Sequence, residues 1–284
     1  MIVLASDDVE AARRGERAGL ERVARAAEPV VFNLAIRMLA NRADAEDATQ
    51  EILIRIITHL GSVRDVGAAG AWAMRVACRH LVETRKRGRV EAMRLDFTAF
   101  ADDLQTDFGA SPHVELTEAE YGLALKEVKV GCTLAMLSCL SRALRIAYVL
   151  GDVFELSDAD AARVLELSPA TYRQRLKRAR DQVAAFVTRT CGVVAEDAPC
   201  RCAGRVGPAL AGGRIEKGAS RFDIASGSAT EHAALESHVR ALDHAREKAA
   251  ALMRSNPDFS SDISALLVQV TAFSGDGSDA APHQ

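Results

Sequence analysis

Ser157 and Ser168 each stand in front of a run whose apolar residues recur every three or four positions, and only Glu166 and Leu167 separate the two runs. A serine there caps a helix by accepting from the orphan amides of the first turn, and Pro169 suits the first helical position. In the second run Tyr172, Leu176, Ala179, Val183, Phe186 and Val187 form one apolar stripe. Thr171, Gln174, Lys177 and Arg178 lie opposite, with no acid before Asp181. Two short helices with so tight a joint constitute a helix-turn-helix. The second helix of that motif enters the major groove, where Arg and Lys meet phosphates and guanine edges and Gln meets adenine. The candidate duplex-reading residues are Ser168, Thr171, Tyr172, Arg173, Gln174, Arg175, Lys177 and Arg178. A charge run is ordinarily a solvated face. Here capping, joint length and charge placement agree on nucleic acid.

The same three-and-four recurrence runs through most of the 284 residues, without a long alternating stretch, so the expected fold is all-α. A hydrophobic content of 49% is ample for two small helical domains with packed cores. The net charge is only -3, so any DNA affinity must come from local basic patches. No stretch approaches the ~18 apolar residues that span a bilayer, and the N-terminal apolar run is too short for a signal peptide. The expectation is a cytoplasmic protein with no membrane partner. Gly-rich phosphate loops, Ser/His/Asp sets and HExxH spacing do not occur, which argues against an enzyme.

The N-terminal third carries another helical set. Leu20, Val23, Ala27, Val31, Leu34, Ala35 and Met38 hold one face, and Pro29 marks a helix start or a kink. After a turn at Ala40 to Ala43, a helix opening with acids buries Ala45, Ala48, Ile52, Ile56 and Leu60 and leaves Asp47, Gln50 and Glu51 on its polar side. A third helix from Ala71 to Arg87 is apolar at Trp72, Val76, Ala77 and Leu81 and becomes basic toward its end.

Ala45-Glu-Asp-Ala-Thr-Gln-Glu51, followed by Ala71-Trp72 and a basic helix, resembles region 2 of bacterial RNA polymerase sigma factors of the extracytoplasmic-function group, within the sigma-70 family. The helix-turn-helix ending in Arg175-Leu-Lys-Arg-Ala-Arg180 resembles region 4 of that group. Together the two resemblances cover about residues 10 to 190. They imply that Asp47, Gln50 and Glu51 bind core RNA polymerase. They further imply that Trp72, Arg75, Arg79, Arg85, Lys86 and Arg87 meet the promoter -10 element and its opened strand, and that the Pro169 helix reads the -35 element as double-stranded promoter DNA. Trp72 has two readings, a stacking platform for unpaired bases or a member of the apolar stripe. Arg79 stands where the family usually has Asn, Glu83 where it has Asp, Ala73 where it has Leu, and Tyr172 where Val is common.

The expected organisation is a region 2-like domain at 1–90, an acidic linker at 91–130, a region 4-like domain at 131–190, a Cys/Gly-rich segment at 191–228, a helical C-terminal extension at 229–274 and a disordered tail at 275–284. The linker carries Asp96, Asp102, Asp103, Asp107, Glu115, Glu118 and Glu120, with a short helix near Thr117 to Val128. It is either a mimic of nucleic acid, as the resemblance implies, or an ordinary solvated connection. Cys191, Cys200 and Cys202 offer three sulfur ligands for zinc or another soft metal, with His232, His238 or His244 as a fourth. A redox-sensing thiol pair and plain structural cysteines are the other two readings. Cys78, Cys132 and Cys139 fall within helical patterns and are expected in the core. No cofactor is required by the resemblance.

The extension is expected as one helix from about Thr230 to Ser255, with Leu235, Val239, Leu242, Ala249 and Leu252 in register, and another from Asp262 to Phe273. Such helices cannot bury their stripes alone, so they should dock on the second domain and regulate promoter access in cis, a role that separate anti-sigma partners play for related factors. The rival to a polymerase subunit is a free-standing helix-turn-helix regulator acting without polymerase.

Overall fold

The computed structural model describes residues 1–83, 90, 93, 95–106, 115–225 and 227–261. Arg85, Lys86, Arg87, Arg94, Asp107, the helix expected at 262–273 and the tail lie outside the described residues. Within them, the protein is built from twelve α-helices and no strand.

The first bundle comprises α1 (Ser6–Arg13), α2 (Arg17–Leu39), α3 (Arg42–His59) and α4 (Ala69–Glu83). Helix α2 runs through Pro29 and ends at Ala40, whose φ of 52° lies in the left-handed region. Asn41 then caps α3, its Oδ1 accepting from the Asp44 amide at 3.0 Å. The stripe from Ala45 to Leu60 is buried as expected. Helix α4 is rotated relative to its expected face: Ala73, Met74, Ala77, Cys78 and Leu81 are buried, whereas Trp72 and Val76 are half-buried at the margin. This face packs on α2 and α3 and leaves the indole at the rim.

The second bundle comprises α5 (Phe97–Thr106), α6 (Glu118–Cys139), α7 (Arg142–Tyr148), a π-helical turn (Val149–Val153), α8 (Asp158–Val164) and α9 (Pro169–Thr190). Thr117 and Glu120 form a reciprocal capping box that starts α6, the helix expected only to Val128. Helix α5 was not legible in the linker; Phe97 and Phe100 place their rings 5.1 and 5.3 Å from Phe186 of α9. Arg145, 2% exposed, joins the two bundles by donating to the carbonyls of Met38, Ser138 and Leu140. These orphan carbonyls at the ends of α2 and α6 need such a donor.

The extension folds back over both bundles. Helix α10 (Cys202–Ala211) packs on α6. Beyond it Arg214 pairs with Asp103 at 2.7 Å and Lys217 lies 3.8 Å from Glu120, so the acidic linker is met by the protein's own basic segment. The helix expected from Thr230 to Ser255 is two helices, α11 (Ala229–Ala241) and α12 (Ala245–Arg254), interrupted where Leu242 and His244 are extended. That bend lays α12 along α9, burying Ala249 to Met253. Residues 255–261 then cross to the first bundle, whereas the expectation was docking on the second domain.

Candidate nucleic-acid interface

Ser157 accepts from the Asp160 amide at 3.1 Å and Ser168 from the Thr171 amide at 3.1 Å, so both helices of the pair are capped by the expected residues. Between them Glu166 adopts φ 55°, the left-handed conformation that reverses the chain within so few residues. The apolar stripe from Tyr172 to Val187 is buried and fixes the rotation of α9.

That rotation leaves Ser168, Arg173, Gln174, Lys177 and Arg178 exposed, with Thr171 and Arg175 half-buried. Lys177 pairs with Asp181 at 2.8 Å, while Arg173 and Arg178 have no ion pair among the described residues. Tyr172 must be removed from the duplex-reading set. It is 0% exposed and donates to the Ala147 carbonyl at 3.2 Å, over Gly151, because it belongs to the apolar stripe. Arg180 also leaves the basic face, forking onto buried Asp152.

In the first bundle Asp47 and Glu51 are exposed and Gln50 is half-buried on the outer side of α3. Glu51 is 3.9 Å from Arg55 and 3.8 Å from His80. Burial, and then the Arg55 charge, lower the His80 pKa. Trp72, Arg75 and Arg79 line an open groove of about 550 Å³ together with Arg55, His80 and Glu166. A second depression of about 450 Å³ continues past Trp72 to Arg64 and Arg163. Arg55, Arg64 and Arg163 are basic contributors that helix periodicity alone did not single out. Glu166 of the helix-turn-helix joint sits in the groove, hydrogen-bonded by Arg79 and 3.6 Å from Arg75.

The cysteine segment is ordered by its backbone: Gly192 N donates to Cys200 O at 2.9 Å and Cys200 N to Thr190 O at 3.0 Å. Among the described residues no group of three or more His, Cys, Asp or Glu is arranged to hold a metal, so the zinc expectation at Cys191, Cys200 and Cys202 finds no support. His232 lies 3.4 Å from Glu236, and His238 and His244 are exposed. Burial pushes the Cys200 thiol up to about 11 and raises Cys132, Cys191 and Cys202 as well. A redox-sensing thiolate needs the opposite shift. Cys200 is buried and Cys132, Cys191 and Cys202 are half-buried, surroundings that favour the thiol over the thiolate.

The sigma-70 region 2 family model matches residues 23–90 and the sigma-70 region 4 model matches residues 131–183. Over these two spans the chain is similar to the sigma-70 family. It is 28% identical over 172 residues to the ECF RNA polymerase sigma factor SigE of Mycolicibacterium smegmatis, covering 59% of this chain and 61% of that protein. It is 26% identical over 177 residues to the RNA polymerase sigma-H factor of Pseudomonas aeruginosa, covering 62% of this chain and 89% of that protein. Region 2 thus falls on α2 to α4 and region 4 on α6 to α9. The cysteine segment and the extension lie beyond both matched spans. No helix among the described residues is long and apolar enough to cross a membrane.

Proposed function

We propose that this protein is a dissociable promoter-specificity subunit of bacterial RNA polymerase of the sigma-70 family, cytoplasmic, with no chemistry and no required cofactor of its own. The exposed basic side of α9 carries the reading, because a rigid, capped helix presenting Arg173, Gln174, Lys177 and Arg178 is shaped for a major groove. Those residues, with Ser168, Thr171 and Arg175, meet the -35 duplex. Trp72, Arg75 and Arg79 hold the opened -10 strand, by stacking and by phosphate contacts. Asp47, Gln50 and Glu51 bind core polymerase.

A free-standing helix-turn-helix regulator has no need of the α3 face, and both relatives are named as polymerase sigma factors. Co-purification with core enzyme and run-off transcription from a promoter library separate the two. The sigma reading expects core binding and promoter-dependent transcripts. DNA binding with no affinity for core would overturn it. An anti-sigma protein, or the chain's own C-terminal extension, would be the partner that restrains it.

A further inference from the structure

Glu166 is the acid of the helix-turn-helix joint, and it faces α4. Its two carboxylate oxygens meet Arg75 and Arg79, two of the cations that the sigma reading assigns to the -10 strand. A carboxylate there occupies the position a phosphate would take, so Glu166 and the DNA backbone compete for the same guanidinium groups.

The contact also fixes where the two DNA-reading elements stand relative to one another. Promoter elements centred at -10 and -35 are about 25 base pairs apart, on the order of 80 Å of duplex at 3.4 Å per base pair. A helix-turn-helix joint ion-paired to α4 cannot reach both. The two bundles must part before the protein grips a promoter at two points.

A second set of contacts opposes that parting. Phe259 is held by Asn33 of α2 in both directions: Asn33 Nδ2 donates to the Phe259 carbonyl and the Phe259 amide donates to Asn33 Oδ1, each at 2.9 Å. The Phe259 ring is 3% exposed and lies 5.0 Å beneath the Arg37 guanidinium. A few residues earlier the same segment is fastened to α6, where Lys129 Nζ donates to the Ser255 carbonyl at 2.6 Å and Asn256 Nδ2 to Thr133 Oγ1 at 2.7 Å. Arg254 donates to the Asp152 carbonyl at 2.8 Å. Residues 254–259 therefore hold region 2 with one end and region 4 with the other.

The two devices differ in strength. Arg75, Arg79 and Glu166 are 35%, 56% and 47% exposed, and ion pairs so solvated shift an equilibrium by about fivefold at most. The hydrogen bonds of Asn33 and Asn256 are buried and that of Lys129 is partly buried, and breaking them strands polar groups away from water.

We propose that residues 254–259 are a built-in clasp that keeps regions 2 and 4 together in a self-masked state, with Glu166 covering Arg75 and Arg79, and that promoter engagement requires its release. The proposal rests on the sigma reading. It assigns the restraining role to a short strap acting on both domains, whereas the sequence pointed to helices docked on region 4 alone.

The test uses the full chain, with Phe259→Ala and Asn33→Ala to weaken the clasp and the exposed Glu166→Gln to remove the latch without touching the core. Small-angle scattering reports the shape of the free protein, circular dichroism confirms folding, and binding is measured to a single-stranded -10 oligonucleotide and to core polymerase. The clasp variants should expand and bind the oligonucleotide about tenfold more tightly, and Glu166→Gln should tighten it up to about fivefold. Folded variants as compact as the wild type, with unchanged oligonucleotide and core binding, overturn the masking alone. Expansion without core binding by any form, the wild type included, overturns the sigma reading and with it the masking of a promoter site.

Discussion

Arg180 Nε lies 2.9 and 3.0 Å from the two carboxylate oxygens of Asp152, whose residue is only 4% exposed. The last arginine of the basic motif is thus committed to the fold, tying α9 to the π-helical turn that precedes α8. Removing it leaves a buried carboxylate without its partner. Because the guanidinium itself is 38% exposed, Arg180→Ala should cost about 2 kcal/mol, below the 3–5 kcal/mol of fully buried pairs. Arg178→Ala, on the solvated face, should stay within about 0.5 kcal/mol of the wild type. Urea unfolding of both variants checks this, and equal stabilities would return Arg180 to the surface.

Tyr172 and Gly151 make a matched pair. A Cβ on Gly151 would lie 2.7 Å from the Tyr172 hydroxyl and 3.0 Å from Leu176. Gly151→Ala should therefore destabilise by about 1–3 kcal/mol through overpacking. Tyr172→Phe removes the bond to the Ala147 carbonyl and should cost about 1 kcal/mol. It should also relieve part of the clash, so the double variant is expected to lose less than the sum. Strict additivity in thermal or urea unfolding would show that the two residues do not press on each other.

Local signals in the sequence carried the class of fold, both serine caps, the buried side of α3 and the basic side of α9. These depend on residues within a turn or two of one another. The rotation of α4 and the bend at Leu242 to His244 were not legible, because each is decided by the surface the helix packs on. Helix α5 is short and bears Asp102 and Asp103, so its Phe97 and Phe100 gave no clear stripe until Phe186 was beside them. Tyr172 entered both the apolar stripe and the DNA-reading set, and only burial separated the two. Glu166 looked like a joint residue and nothing more; its partners, Arg75 and Arg79, lie far back in the chain.

Two buried groups should pull the alkaline stability in opposite directions. Burial pushes the Cys78 thiol up to about 12 from its ordinary 9.0, so its contribution is full below pH 9 and is lost as pH rises toward 12. From pH 8 to pH 10 that loss is on the order of 1 kcal/mol. Burial lowers Lys129 from 10.5 to about 8. Its penalty is present below pH 8 and is relieved as pH rises toward 10.5, a gain of about 2 kcal/mol over the same interval. Cys78→Ala should therefore reduce the alkaline loss and Lys129→Met should deepen it. Urea midpoints at pH 8 and pH 10 decide the matter, and variants that track the wild type would place neither group in the shifted state.

Lys177 and Arg178 are neighbours on the exposed side of α9 but differ in attachment. Asp181 takes Lys177 at 2.8 Å and is also held by Arg246 of α12, whereas Arg178 is unpaired among the described residues. Arg178 and Gln174 are therefore the groups free to reach base edges, and Lys177 is left to the backbone. Arg178→Ala and Gln174→Ala should each cost about 1–3 kcal/mol at one position of the -35 duplex and little elsewhere. Lys177→Ala should weaken all sequences alike and lower the slope of log K against log salt by about 0.9. Asp181→Asn should do the reverse, since it releases Lys177 toward a phosphate while leaving every base contact in place. The measurement is a salt titration on a panel of singly substituted -35 duplexes. If Arg178→Ala and Gln174→Ala also lose affinity evenly across the panel, then that side of α9 grips phosphates and another part of the helix reads the bases.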